Sequence, residues 1–167
     1  IRLGGHEWIP IGTKASHFMG IFDGNGYFIE DFSITKHHDP DPHAHYAALF
    51  GTVSGSPTIK ELTIQKAEIV YPGEGDFYGS GLIGTAYGNV TIEKVTVKDS
   101  YISGNNKVAG LLAHDGGVSS LNIDNCHVDN CVIESLNETD GGNVGGLVGL
   151  FQGVAKKEGE AAPYGEH

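Results

Sequence analysis

The residues best suited to chemistry lie in one short stretch, His37-His38-Asp39-Pro40-Asp41-Pro42-His43-Ala44-His45. If residues 43 to 45 are extended, His43 and His45 project to the same side, because side chains alternate along an extended chain. His37 or Asp39 would then complete a site for Zn²⁺ or Ni²⁺, ions that imidazole and carboxylate ligands bind. A stretch with two prolines is also typical of an ordinary solvated loop, so the metal site is one of two interpretations.

A second set of candidates lies in the connections that occupy the same place later in the chain. Aromatic rings there would stack on sugar faces, while carboxylates and amides would bond hydroxyl groups, and variable loops on a rigid scaffold commonly carry recognition residues. The predicted ligand-binding residues are Tyr71, Asp76, Phe77, Tyr78, Asn105 and Asn137. The alternative interpretation is that Phe77 and Tyr78 cover the apolar floor of their own loop.

The two cysteines, Cys126 and Cys131, are five residues apart, which is not a metal-site spacing of the Cys-x-x-Cys kind. Their places in the alignment described below are those of small or apolar residues. We therefore interpret both as thiols in core positions, although a disulfide between them stays open.

The element that must position these candidates is a repeat of about 30 residues. Four segments share a small-apolar phrase, and a divergent copy is predicted at Gly20-Ile21-Phe22-Asp23-Gly24. The four are Ala48-Leu49-Phe50-Gly51, Gly81-Leu82-Ile83-Gly84, Gly110-Leu111-Leu112-Ala113 and Gly146-Leu147-Val148-Gly149. A kept period with variable insertions is typical of a solenoid.

The second half of each repeat keeps its apolar positions in register. Ile59, Leu62, Ile64, Ala67 and Ile69 are matched by Ile92, Val95, Val97, Ser100 and Ile102, and then by Ile123, Cys126, Val128, Cys131 and Ile133. The first repeat gives Ile29, Phe32 and Ile34 at the same places. Apolar and polar residues alternate around Leu62, Val95 and Cys126, which predicts half-buried strands. Each repeat is therefore one coil of two or three short strands, with equivalent strands paired in parallel.

Composition and charge limit the class of protein. The 26 glycines suit a chain with many tight corners, and the 39% hydrophobic fraction suits one narrow core. The formal charge of −11 makes nucleic acid an improbable partner, because binding phosphates requires clustered cations. We expect an N-terminal lead-in at residues 1–17, repeats at 18–154 and a polar tail at 155–167, cut from a larger chain. The fragment has no apolar run long enough to span a membrane.

Two stretches resemble bacterial β-helix proteins that carry the GLUG motif: Trp8-Ile9-Pro10-Ile11-Gly12-Thr13, and Phe18 to Ile29 with the Gly-Leu-x-Gly phrases. Gly81-Leu82-Ile83-Gly84 and Gly146-Leu147-Val148-Gly149 fit that motif fully. Such repeats occur in non-catalytic regions of secreted IgA-cleaving metalloproteases and in large surface adhesins. The resemblance implies a right-handed β-helix in an extracellular or cell-surface setting.

Catalysis is the less favoured interpretation. A lyase of the pectate type would use an arginine as base, and the single arginine, Arg2, lies at the start of the chain. Glycoside hydrolysis requires two suitably spaced carboxylates, and Asp23-Gly24-Asn25-Gly26 is better explained as a turn. His6-Glu7 lacks the second histidine of a zinc-protease motif.

The sequence thus predicts an all-β, single-stranded parallel β-helix solenoid of about 4–5 coils. Its expected role is a non-catalytic module that binds a glycan or a host or cell-surface protein, or that acts as a spacer. The alternative is a carbohydrate-active enzyme, either a glycoside hydrolase or a polysaccharide lyase. No cofactor is expected apart from the metal considered above.

Overall fold

A computed structural model describes residues 1–41, 43, 45–70, 77–136 and 142–152. These residues form sixteen strands and no helix. The strands are β1 (Arg2–Glu7), β2 (Ile21–Asp23), β3 (Phe28–Ile34), β4 (His45–Ala47), β5 (Phe50–Val53), β6 (Thr58–Gln65), β7 (Glu68–Val70), β8 (Phe77–Ser80), β9 (Ile83–Lys98), β10 (Tyr101–Gly104), β11 (Lys107–Ala109), β12 (Leu112–Asp124), β13 (His127–Asp129), β14 (Val132–Ser135), β15 (Asn143–Gly145) and β16 (Val148–Leu150).

The strands stack in five parallel lines, which confirms the predicted all-β parallel solenoid, with about four turns. Line 1 contains β5, the start of β9, the start of β12 and β16. Line 2 contains β2, the start of β6, the middle of β9 and the end of β12. Line 3 contains the start of β3, the ends of β6 and β9, and β13. Line 4 contains the end of β3, β7, β10 and β14, and line 5 contains β4, β8, β11 and β15.

We number the coils by the residues that run once through all five lines: coil 1 (11–47), coil 2 (50–80), coil 3 (83–109) and coil 4 (112–145). Two partial coils flank them. β1 pairs with β3 and so extends lines 3 and 4 before coil 1, whereas β16 extends line 1 after coil 4. The solenoid therefore includes residues that the sequence analysis assigned to an N-terminal lead-in. The predicted tail at 155–167 lies outside the described residues.

The core consists of ladders of equivalent apolar side chains. Leu62 pairs with Val95, Ile59 with Ile92 and Ile64 with Val97, as the repeat alignment predicted. All six side chains are buried, five of them completely shielded from solvent. Full burial of one such side chain stabilises a fold by about 1.5–3 kcal/mol, so stacked coils gain what a single coil lacks.

The alignment of the first repeat was wrong by several residues. Ile11, and not Phe22, lies beside Phe50 in line 1, while Phe22 pairs with Ile59 in line 2. Ile29 likewise pairs with Ile64 rather than with Ile59. The error has a simple cause, because each repeat contains the same apolar spacing twice. Three apolar residues spaced by three and then two positions occur at Ile59, Leu62 and Ile64 and again at Ile64, Ala67 and Ile69.

The glycines of the repeated phrase are required by the close approach of neighbouring coils. A Cβ added at Gly81 would lie 2.7 Å from the carbonyl oxygen of Gly110, and one at Gly84 would lie 2.8 Å from that of Gly51. Contacts of this kind displace backbone, which explains why small residues recur at these places.

One corner turns the chain with a single left-handed residue in each coil. Between lines 3 and 4 these residues are Asp31, Lys66, Asp99 and Asn130, with φ between 47° and 62°. Few residues other than glycine adopt this conformation. Contacts between coils stabilise it, because the Lys66 amide donates to the Lys98 carbonyl at 3.2 Å and the Asn130 side chain donates to Asp99 at 2.7 Å.

Candidate functional site

Five partly exposed rings from all four coils form two stacked sets, which together we call the aromatic strip: His17, Tyr46, Tyr78, Tyr87 and His114. Tyr46 and Tyr78 stack with centroids 5.4 Å apart at an interplanar angle of 15°. Tyr78 also stacks with His114 at 4.7 Å and 15°. His17 stacks with Tyr87 at 5.5 Å and 11°.

The solenoid register brings these rings together from distant parts of the sequence. Tyr46 and Tyr78 are direct neighbours in line 5, where the next neighbour is Lys107. His114 lies opposite Thr85 in line 1, and the Thr85 hydroxyl is 3.2 Å from the His114 Nδ1 atom.

The remaining ring of the strip, Tyr87, packs over Gly116. A Cβ at Gly116 would lie 2.6 Å from the Tyr87 ring and 2.9 Å from the Thr85 hydroxyl, so Tyr87 covers this backbone. Tyr87 is also near enough to Tyr46 to raise the pKa of the Tyr46 phenol, so the two stacked sets are neighbours.

One ring of the strip has a cation beside it, although the whole chain is acidic. The Lys107 ammonium lies 4.5 Å from the centre of the Tyr78 ring and donates to Asn106 at 3.2 Å. Burial raises the pKa of Tyr46 well above its usual range, and the nearby Tyr87 raises it further. The Tyr46 phenol therefore stays protonated and remains a hydrogen-bond donor.

A small cleft adjoins the strip at Tyr46. It is lined by Pro10, Gly12, Thr13, His38, Asp39 and Tyr46. Asp39 accepts from the backbone amides of Lys14 and Asp41 at 2.7 and 2.9 Å, so its carboxylate holds the loop that forms one wall.

Among the ligand-binding residues that the sequence predicted, Tyr78 belongs to the aromatic strip. Phe77 instead fills the core with 1% of its surface exposed, which corrects its assignment to the ligand-binding set. Because side chains alternate along β8, Phe77 lies on the inward face, where it packs against Gly104. Asn105 is partly exposed in the connection between lines 4 and 5. Tyr71, Asp76 and Asn137 lie outside the described residues.

The histidine-rich loop contains no described metal cluster. His37, Asp39 and His43 are described, and across the described part of the chain no three His, Cys, Asp or Glu side chains are grouped to hold a metal ion. His45 begins β4, but its side chain is outside the described set, so the complete predicted ligand set remains a prediction. His38, which that prediction did not use, lies 2.9 Å from a carboxylate oxygen of Glu7.

Both cysteines are free thiols packed against the core, as their repeat positions predicted. The Cys126 thiol donates to the Ile92 carbonyl at 3.5 Å, and the Cys131 thiol donates to that of Val97 at 3.6 Å. Burial raises the pKa of both thiols. The two groups are therefore poor nucleophiles, because the thiolate is the reactive form.

Several carboxylates are committed to structural bonds. Asp23 accepts from the Asn25 amide at 2.9 Å, as expected for a turn. Glu30, with 2% of its side chain exposed, binds Arg2 at 2.5 Å and Gln65 at 2.6 Å. The Arg2 guanidinium is the main cause of the lowered pKa of Glu30. Buried Asp115 accepts from the amides of Gly117 and Val118.

The sequence analysis missed most of the strip. His17, Tyr46, Tyr87 and His114 were not predicted, because the predicted ligand-binding set was drawn from the variable loops. One signal was present: Tyr46, Tyr78 and Lys107 precede the third residue of their phrases by four, five and five positions. The contacts of His17 and Tyr87 depend on three-dimensional proximity and have no repeat signature.

The chain matches no family profile, and no solved structure matches it. It is 33% identical over 111 residues to a halomucin of Haloquadratum walsbyi, a stretch that covers 65% of this chain and 1% of that protein. It is also 33% identical over 93 residues to a candidate Gly-rich membrane protein of Evansella cellulosilytica, covering 54% of this chain and 10% of that protein. The chain thus corresponds to a small part of each relative. Among the described residues, no helix is long and apolar enough to cross a membrane.

Proposed function

We propose that this chain is a non-catalytic module of a secreted or cell-surface bacterial protein and that its aromatic strip binds glycans. The observation that carries the proposal is the partial exposure of five rings, contributed by four coils, in two neighbouring stacked sets. A rigid parallel scaffold holds the rings in place, so little conformational entropy is lost when a ligand binds.

The chemistry of the strip suits sugars. Tyrosine rings present apolar faces to the C–H groups of a pyranose, while their hydroxyls bond its hydroxyl groups. Lys107 and the two histidines add donors, and the cleft beside Tyr46 offers a concave edge. Hydrolysis, in contrast, requires a pair of suitably spaced carboxylates, and Asp23, Glu30 and Asp115 are engaged elsewhere.

The setting of the module is supported by two independent similarities. The Gly-Leu-x-Gly phrases resemble GLUG-motif repeats, which occur in secreted proteases and surface adhesins. The two curated relatives are a halomucin and a candidate membrane protein, and in each the similar stretch is a small part of the whole. Both support a module within a long secreted or cell-surface protein.

A polysaccharide panel tests this proposal. The purified chain is incubated with neutral and acidic polysaccharides, and each mixture is followed by size-exclusion chromatography for co-elution and for shortening of the polysaccharide. Co-elution at constant polysaccharide length is expected. Shortening would make the chain an enzyme and overturn the proposal, and a panel without any co-elution would favour a spacer or a protein-binding module.

Two matched tyrosine variants test whether the strip is the binding surface. Tyr46→Ala removes a ring of the strip, whereas Tyr27→Ala removes an equally large ring that is 69% exposed between lines 2 and 3. The strip variant is expected to bind at least about tenfold more weakly, and the Tyr27 variant to bind like the parent. Equal losses in both would place binding elsewhere.

A further inference from the structure

One asparagine on the side of the solenoid has the sequence spacing of an N-glycan acceptor. In Asn89-Val90-Thr91 a hydroxyl residue follows the asparagine by two positions, and the residue between them is not proline. Enzymes that attach N-glycans to secreted proteins recognise this Asn-x-Ser/Thr spacing. The spacing is short and common, so the place of Asn89 in the fold decides whether such an enzyme can use it.

The strand geometry places both recognised groups on the outer surface. Residues 89 to 91 belong to β9, and side chains alternate between the two faces of a strand. Val90 lies in the core with 1% of its surface exposed, so Asn89 and Thr91 face outward. Asn89 is exposed and Thr91 is partly exposed. An enzyme can therefore reach the carboxamide and the hydroxyl from the same side.

The surroundings of Asn89 leave room for a bulky substituent. Its backbone amide donates to the Gly55 carbonyl of coil 2 at 2.7 Å, and Ser56 follows Gly55 in that coil. In coil 4 the register neighbour of Asn89 is Ser120. These three neighbours are small and exposed. Because coils 2 and 4 flank Asn89, the opening belongs to the side of the solenoid and is independent of its two ends.

The backbone of the acceptor is bonded within the sheet. The Thr91 amide donates to the Pro57 carbonyl at 3.0 Å, and Thr91 pairs with Thr58 in line 2. The Asn89 amide is engaged in the same way with Gly55. A glycan attached to the outward side chain would therefore leave these bonds between coils intact.

We propose that Asn89 carries an N-linked oligosaccharide in the exported protein. In the transfer, a bond forms between the Asn89 side-chain nitrogen Nδ2 and the anomeric carbon of the oligosaccharide. The bond from that carbon to the phosphate of a glycosyl phosphate donor breaks, the phosphate leaves with the bonding electrons, and Nδ2 loses one proton. The proposal rests on the secreted or cell-surface setting proposed above, and it does not depend on binding by the aromatic strip.

Peptide mapping of the native protein tests this proposal. The protein is isolated from the cells that export it, denatured and digested with trypsin, and its peptides are analysed by mass spectrometry. Asn89 falls in the tryptic peptide 67–94, whereas Asn137-Glu138-Thr139, which has the same spacing but lies outside the described residues, falls in peptide 108–156. Peptide 67–94 is expected to carry sugar mass, and enzymatic release of the glycan should convert Asn89 to aspartate. An unmodified peptide 67–94 would overturn the proposal, and because polysaccharide binding does not enter this readout, that failure is distinct from a failure of the strip proposal.

Four variants, exported from a host that glycosylates Asn-x-Ser/Thr sequences, separate an N-glycan from other attachments. Asn89→Gln and Thr91→Ala are expected to lose the sugar mass on peptide 67–94, whereas Thr91→Ser should keep it, because serine preserves the acceptor spacing. Thr58→Ala is the matched control, since Thr58 is the register neighbour of Thr91 but belongs to no acceptor sequence, and it should also keep the mass. Circular dichroism confirms that each variant is folded. Sugar mass that persists in Asn89→Gln, or that folded Thr91→Ser loses, would overturn the proposal.

Discussion

The corner between lines 3 and 4 consists of equivalent residues from every coil, whereas the aromatic strip consists mostly of residues that are not equivalent. At the corner every coil contributes one left-handed residue at the same register position, from Asp31 to Asn130. In the strip the rings come from lines 1 and 5 and from the connection between lines 1 and 2, and only Tyr46 and Tyr78 are direct equivalents. The corner therefore repeats with the fold, whereas the strip exists only after the coils have stacked. Changes at repeated positions should act on stability, and changes in the strip should act on binding.

The largest effect is expected from Val95→Asp. Val95 is completely buried beside Leu62, so the variant places an unpaired carboxylate in the core. Several kcal/mol of stability should be lost, which would unfold the middle coils. Chemical denaturation measures the loss, and Thr96→Asp, at the neighbouring outward position, is the control. Equal melting of Val95→Asp and the parent would contradict the core ladder.

A smaller loss is expected from Gly81→Ala. The added Cβ would meet the Gly110 carbonyl oxygen and a Val97 methyl group, both at 2.7 Å. Overpacking of this kind costs about 1–3 kcal/mol. Gly146→Ala is the matched control, because it occupies the same phrase position in the last repeat with no atom within 4 Å. Denaturation midpoints that shift equally in both variants would remove the close-approach explanation of the phrase.

Some of these structural features were predictable from the sequence and others were not. The buried ladder through Leu62 and Val95 was predictable, because burial forces the same residue class into every coil at one register position. The start of the first repeat was not, since Phe22 and Ile11 both satisfy the apolar pattern and only pairing distinguishes them. The packing of Tyr87 over Gly116 was also not predictable, because it depends on the path of the chain between lines 1 and 2.

Acid should weaken the N-terminal end through Glu30. Arg2 and Gln65 lower the pKa of Glu30 below its ordinary value of 4.5, so the folded state favours the carboxylate. This contribution to stability is fully present above pH 4.5 and is lost as the pH falls through the lower folded pKa. Melting temperatures measured from pH 6 to pH 2 should therefore fall less steeply in Glu30→Gln than in the parent. Parallel profiles would contradict this assignment.

The smallest effect is expected from Lys94→Asn at the corner between lines 2 and 3. Lys94 adopts a left-handed conformation with φ of 52°, which asparagine tolerates better than lysine. The substitution removes an exposed ion pair with Glu61 at 3.3 Å, which contributes little. A net gain of about 0.5 kcal/mol is expected from denaturation. Lys98→Asn, in β9, is the control. A loss of stability in Lys94→Asn as large as that in Lys98→Asn would contradict the conformational argument.

The most direct test of the account measures binding and stability together in the two regions. The polysaccharide that co-elutes most strongly is titrated into the parent, into a Tyr46→Ala/His114→Ala double variant of the strip, and into Asn130→Ala at the corner. The account predicts that the strip variant loses at least about tenfold in affinity and keeps most of its stability. Asn130→Ala should lose about 1 kcal/mol of stability and bind like the parent. Loss of affinity in Asn130→Ala, or full affinity in the Tyr46→Ala/His114→Ala double variant, would contradict the proposal that the strip is the binding surface.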